Sequence, residues 1–234
     1  MLKVDLHIHT GDDPVDRIPY SSARLLYRAA ELGFDAVAIT LHDRQLELSS
    51  LSSLARSLGL ILIPGIERTV HGRHVLLLNF PRAAEGVKSF ADIAALKARY
   101  PRGLVVAPHP FFPHRNCLRE QLDAHAELFD AIELNAFYCK TVDFNRRALR
   151  WAETHARPIL ANSDAHRLPI FGRTFSSVDA ARDPDSICEA IRRGAVTVQT
   201  APIALPWAAW YFASLTVNGF RSPVRSEEPM PFPA

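Results

Sequence analysis

The chain has 234 residues, 48% hydrophobic and 22% charged, with 10 Gly and 17 Pro. That length and balance suit one globular domain with a full core, long enough for an α/β barrel, and argue against a chain disordered throughout. A formal net charge of +2 does not describe a dedicated nucleic-acid-binding surface. No apolar run reaches the roughly 18–20 residues of a membrane span, and His7 and His9 interrupt any secretory apolar core. Cys117, Cys139 and Cys188 form no CxxC pair and read as buried apolar side chains in a reducing, cytoplasmic setting.

In chain order, residues 3–8 predict a strand that carries Asp5, His7 and His9 at alternate positions, on one face. Residues 21–33 predict a helix with Leu25, Leu26, Ala29 and Leu32 inward, Ser21 or Ser22 as N-cap and Gly33 past its end. Strands at 35–40 and 60–65 are apolar nearly throughout, as expected when both faces are covered, with a helix near 46–58 between them. Strands at 73–80, 104–108, 131–135 and 158–162 alternate with helices near 89–99, 118–128 and 143–156. Short strands at 174–178 and 196–199 flank a helix over 184–194, with Asp183 as cap and Pro184 at its first position. The alternation implies parallel βαβ units in one domain over 1–215, with 216–234 as a mobile tail.

Nearly every strand delivers a His or carboxylate at or near its end: His42-Asp43, Glu67, His74, His109, Glu133 and Asp164-Ala165-His166. In a parallel barrel these ends converge on one mouth. So many imidazoles and carboxylates repel or desolvate one another unless cations sit among them. The mixed nitrogen and oxygen donors suit Zn, Mn or Fe better than Mg or Ca, and exceed what one ion takes. Two or three divalent metals are expected.

The ordered motifs Asp5-Leu6-His7-Ile8-His9-Thr10, Ile39-Thr40-Leu41-His42-Asp43, Pro64-Gly65-Ile66-Glu67, His74, Pro108-His109-Pro110, Glu133-Leu134-Asn135 and Ser163-Asp164-Ala165-His166 resemble the polymerase and histidinol phosphatase (PHP) family of metal-dependent phosphoesterases. The resemblance spans residues 1 to about 200. It implies a distorted (β/α)7, TIM-like barrel with metals at the C-terminal ends of the strands. It also implies a first metal on His7, His9, Glu67 and Asp164, and a second on Glu67, His74 and His109. A third would take His42, His166 and an aspartate from the 11–16 loop, where Asp16 is preferred to Asp13. Leu41 stands where the family pattern usually has Asp, the 11–16 loop departs from the common spacing, and the insertion some members carry before the Asp164 motif is missing. His71 competes with His74, and Glu133 and Asp5 read as partners that orient ligands rather than as ligands.

The expected reaction is hydrolysis of a phosphate ester, with water acidified between two cations. Arginines would grip the phosphoryl oxygens: Arg115 and Arg173 first, Arg44 and Arg68 as weaker candidates. His166 or Asp43 would protonate the leaving group. Small-molecule phosphates or nucleotides lead as substrates because no aromatic-basic stripe that would track a single strand is evident, and short oligonucleotides stay open. Two alternatives stand beside this reading. One is a C–N hydrolase of the amidohydrolase type, disfavoured because no lysine follows the fourth strand at a metal-bridging position. The other is a metal-stabilised binding domain without turnover, which Leu41 keeps open. His114, His125 and His155 read as solvated surface, and the aromatic segment 203–215 reads as packing or a homodimer contact through Trp207, Trp210 and Phe212 rather than a membrane-surface helix.

Overall fold

The computed structural model describes residues 1–208. The expected tail over 216–234 and most of the 203–215 segment, Trp210 and Phe212 included, therefore lie outside the described residues. Among the described residues the strands and α-helices follow in the order β1 Leu2–Ile8, α1 Ser22–Glu31, β2 Ala36–Ile39, α2 Ser49–Ser57, β3 Ile61–Leu62, β4 Gly65–Val70, β5 Arg73–Leu78, α3 Phe90–Arg99, β6 Leu104–Ala107, α4 Glu120–Ala124, β7 Ala131–Asn135, α5 Asn145–Thr154, β8 Ile159–Asn162, β9 Phe175–Val178, α6 Pro184–Arg192 and β10 Val196–Gln199. The cap chemistry holds: the Ser21 hydroxyl accepts from the Arg24 N–H, and the Asp183 carboxylate accepts from the Ser186 N–H beside Pro184.

The strands form two five-stranded sheets, ordered β10-β9-β1-β2-β3 and β4-β5-β6-β7-β8. This corrects the expected barrel of parallel βαβ units. Parallel pairing joins β1 to β2, β2 to β3, β6 to β7 and β7 to β8, whereas β4-β5-β6 and β10-β9-β1 pair antiparallel. Among the described residues no continuous ladder closes the two sheets into a barrel. They touch instead through isolated bridges, Ile8 with Ala165 and His42 with Glu67. Gly65 permits the second seam, because a Cβ there would sit 2.8 Å from Thr40 Cγ2. Both seams fall beside functional side chains.

The apolar core has three parts. Between the sheets, Val4, Leu6, Leu76, Val106 and Leu160 pack with Ile187 and Ile191 of α6. Helices α3 to α5 cover the back of the second sheet through residues such as Ile93, Leu122 and Trp151. Leu25, Leu26 and Ala29 of α1 cover Val37 and Ile39. A register shift between Asp5 and Ile8 breaks the strict alternation expected of β1. Leu6 accordingly packs between the sheets while Ile8 packs with α1. Trp207 packs at the edge of the α1 cluster, 5.9 Å from the Arg173 guanidinium. Among the described residues no helix is long and apolar enough to cross a membrane.

Candidate metal centre

Glu67 lies in the middle of β4, almost fully buried, and among the described residues no lysine or arginine pairs with its carboxylate. Five imidazoles surround it instead. The distances are 2.8 Å to His74 Nδ1, 3.0 Å to His109 Nε2, 3.1 Å to His42 Nε2, 3.3 Å to His9 Nε2 and 3.5 Å to His7 Nε2. These rings arrive from β1, from the ends of β2 and β6, and from the start of β5. Because β5 runs antiparallel to β4, its N-terminal end brings His74 to the mouth that the parallel strands reach with their C-terminal ends. His71 sits in the β4–β5 turn against Phe90, so His74 is the residue that reaches Glu67.

Asp164 follows β8 at a positive φ of 47°, held by its N–H to the His7 carbonyl at 2.9 Å. Its buried Oδ1 has no hydrogen-bond partner, yet lies 3.4 Å from both His7 Nε2 and His9 Nε2 and 3.5 Å from His166 Nδ1. His7 Nε2 and His9 Nε2 are 3.2 Å apart. Unpartnered oxygen and convergent ring nitrogens are costly in a dry interior unless a cation satisfies them. The donors therefore fit metal ions. Four sets of three could each hold one: His7, His9 and Glu67; His7, His109 and Asp164; His42, Glu67 and His74; and His9, His42 and His166.

Around this centre sit groups that orient it. Glu133 Oε1 accepts from His7 Nδ1 at 2.8 Å, as its sequence position suggests for an orienting partner. Asp16 Oδ2 lies 3.1 Å from His166 Nε2 and 3.8 Å from His42 Nδ1, while Asp13 lies against His9 and His42. His74 Nε2 meets the Asn116 amide at 2.9 Å and His109 Nδ1 meets Cys117 Sγ at 3.6 Å, two partners sequence reasoning missed. Asp5 is fully buried and accepts from the Ser163 amide at 3.2 Å, and burial pushes its carboxyl up to about 7.

The sequence-predicted cleft residues divide. Arg115 and Asp43 line a cavity of about 750 Å³ that opens onto Glu67, His74, His109 and Asp164. Asp43 Oδ1 is committed to Arg68 Nη1 at 2.6 Å and the Thr69 N–H at 2.7 Å, a poor arrangement for donating a proton. Arg68 is thereby occupied, and Arg44 turns to the Asp12 carbonyl. Arg173 is carried away to Trp207, outside the cavity lining. In its stead Arg17 and Arg167 line the cavity. Arg167 follows the Asp164-Ala165-His166 motif directly, and that adjacency was the available signal. His114 also lines the cavity, whereas His125 stacks on Phe90 and His155 on Trp151.

Comparison with known structures fits this geometry. A family model described as PHP-associated matches residues 143–196. A two-domain protein from Bacteroides vulgatus containing a predicted PHP-like metal-dependent phosphoesterase superposes with a TM-score of 0.67 at 19% identity, over 92% of this chain and 69% of its own. The chain has a PHP-like fold. PsfC from Pseudomonas syringae gives a TM-score of 0.63 at 19% identity, over 92% of this chain and 98% of its own. The lesion-specific endonuclease Q of Pyrococcus furiosus gives 0.57 at 20% identity, over 84% and 57%. Comparison of the sequence with curated proteins gives no significant match. The PHP resemblance read from the motifs thus holds at the level of fold.

The electrostatics of the candidate centre predict a pH signature. Burial opposes charge on His7, His9 and His109, but the surrounding carboxylates, with the Cys117 contact at His109, outweigh it and hold all three well above the ordinary imidazole value. Burial likewise opposes charge on Glu67 and Asp164, but the imidazoles outweigh it and hold both low. In metal-free protein the histidine contribution to stability is complete below about pH 6.5 and is lost as pH rises through the raised values. The carboxylate contribution is present above the ordinary carboxylate range and is lost as pH falls through the lowered values. Chelator-treated protein should therefore lose Tm from neutral into alkaline pH, and the Tm gained on adding Mn or Zn should grow over the same range. A metal-free Tm that stays flat there would count against this charge distribution.

Proposed function

We propose that the chain is a metal-dependent phosphoesterase that hydrolyses phosphate esters of a small molecule or nucleotide at a di- or trinuclear centre. The observation that carries the reading is the buried Glu67 carboxylate facing His7, His9, His42, His74 and His109. His7, His9, Glu67 and Asp164 would hold one ion, Glu67, His74 and His109 a second, and His42, His166 and Asp16 a third. The ions, Mn, Zn or Fe by donor chemistry, supply Lewis acidity and acidify water. Arg115, with Arg17 and Arg167 nearby on the cavity wall, would bind phosphoryl oxygens and orient the ester for in-line attack. His166, at the cavity beside Asp16, would hand a proton to the leaving oxygen only in a dinuclear form that leaves its imidazole off the third ion, while Asp43 is tied to Arg68.

A cavity of this size admits a mononucleotide. The endonuclease neighbour supports testing short oligonucleotides as well. The C–N hydrolase alternative lacks its bridging lysine: none lines the cavity among the described residues, and Lys97 is bound to the Leu128 carbonyl and Asp130. A reducing cytoplasm suits the free cysteines.

The test is elemental analysis of the purified chain, paired with hydrolysis of aryl phosphate monoesters and diesters after reconstitution with Mn, Zn or Fe. Two or more ions per chain with turnover are expected. Full metal without turnover on either ester class would favour the binding-domain or C–N readings, and less than one ion per chain would overturn the metal centre itself.

A further inference from the structure

A metal-binding imidazole works best when one ring nitrogen is held as a donor so that the other presents its lone pair. For His7 the holder is Glu133. His9 and His42 come from different strands, and the assignment proposed above puts His9 with His7, Glu67 and Asp164 and His42 with His166 and Asp16, while one three-residue set, with His166, contains both rings. Yet the two rings share one holder atom. Asp13 Oδ2 lies 3.0 Å from His9 Nδ1 and 3.0 Å from His42 Nδ1, and it accepts from the His42 backbone N–H at 2.9 Å. The other oxygen, Oδ1, accepts from the backbone N–H groups of Val15 and Asp16 at 2.8 and 2.9 Å. That turn carries Asp16 to His166.

An ionised carboxylate only accepts, so both Nδ1 atoms must carry hydrogen, and an ion is then met by the Nε2 atoms, which give up any proton they hold. Those Nε2 atoms lie 3.3 and 3.1 Å from the same oxygen, Glu67 Oε2. The Asp13 side chain is fully buried, and its two oxygens are filled by donors within the protein. Nothing remains on Oδ2 for an ion.

We propose that Asp13 is a positioning residue rather than a ligand, locking His9 and His42 into one tautomer together and coupling the ion site built on His9 to the site built on His42. This rests on the metal-centre reading above. It assigns Asp16, whose side chain is 45% exposed, as the carboxylate of the 11–16 loop that is free to face an ion. It also gives His42 support from another strand connection, since the adjacent Leu41 is fully buried in the α1 cluster and offers none.

Asp13→Ser separates the two jobs of the residue. A serine hydroxyl can still accept from the N–H two residues on, keeping the turn, but is too short to reach either ring. Asp13→Asn is the second variant. Its NH₂ must face either the two rings or the Val15 and Asp16 amides, so it too breaks the pattern without shortening the side chain.

The probes are Co²⁺ titration of the 234-residue chain against a competing chelator, and imidazole ¹⁵N spectra of the metal-free protein recorded at a pH where both rings are neutral. The expected result is a joint loss: the ions dependent on His9 and His42 both weaken about 10–100-fold in either variant, while the ion on His74 and His109 stays. The Nδ1–H signature of His9 and His42 disappears in Asp13→Ser. Wild-type affinity for every ion, or an altered His9 tautomer with His42 unchanged, overturns the proposal. A wild-type chain that binds no Co²⁺ overturns the metal-centre reading instead.

Discussion

Glu67→Gln is expected to abolish turnover and empty the centre while leaving the chain folded. The carboxylate touches His7, His9, His42, His74 and His109 together. Glutamine keeps its shape but removes the charge that bridged cations require, and it replaces one acceptor oxygen with an NH₂ that repels them. Loss of bridging should lower kcat by on the order of 10³-fold, about 4 kcal/mol of transition-state stabilisation. Elemental analysis should show fewer ions per chain, and a thermal melt in chelator should show little change beyond the lost imidazole pairings. The decisive comparison is kcat at saturating metal. A variant that retains full metal and loses less than about tenfold would show that Glu67 is a charge partner of the histidines and not the bridge.

Much of this centre was legible because strand ends announce themselves. His7, His9, His42, His109, Asp164 and His166 each follow or sit within an apolar β-branched run, and the sheet delivers them to one place. The strand that bears Glu67 was not legible as a strand. Gly-Ile-Glu-Arg-Thr-Val is too polar to read as a buried parallel strand, because it is one arm of a hairpin. The signal was the two-residue turn His71-Gly72, both at positive φ, which joins antiparallel strands. With that hairpin missed, an all-parallel arrangement followed. The open seams were equally hidden, since His42–Glu67 and Ile8–Ala165 are single bridges that no periodicity records.

The finer roles depended on loop geometry. Asp12, Asp13 and Asp16 offer three carboxylates within a few residues, and only the fold shows that Asp13 turns inward to two rings while Asp16 stays half-exposed. Arg167 and Arg173 are both arginines shortly after His166. A short 3₁₀ turn over Leu168–Ile170 lies between them, and it is Arg167 that lines the cavity while Arg173 meets Trp207.

Glu133→Gln should reduce stability and metal affinity together, and the pairing of the two effects is the informative part. Glu133 is fully buried on β7 and joins that strand to β1, to β8 and to the residue after β6 that carries His109. Its Oε1 accepts from His7 Nδ1 at 2.8 Å and from Asn162 Nδ2 at 3.0 Å. Its Oε2 accepts from the His109 backbone N–H at 2.8 Å and from Asn135 Nδ2 at 3.4 Å. Every group facing it is a donor, so either orientation of a glutamine amide sets an NH₂ against two donors. Leaving such groups unpaired costs about 2–4 kcal/mol, or roughly 5–15 °C in Tm for a domain of this size. His109 adds to the effect, since its φ of 28° lies in a sparsely populated region and the Glu133 contact helps hold it there. With His7 released from its tautomer and His109 from its backbone anchor, metal affinity should fall about 10–100-fold. If Tm drops while affinity is kept, Glu133 is only a joint between strands. If affinity drops at unchanged Tm, its role is confined to the His7 ring. Only the joint loss shows that the group holding β1, β6, β7 and β8 together is also the group that aims the ligands at their ends.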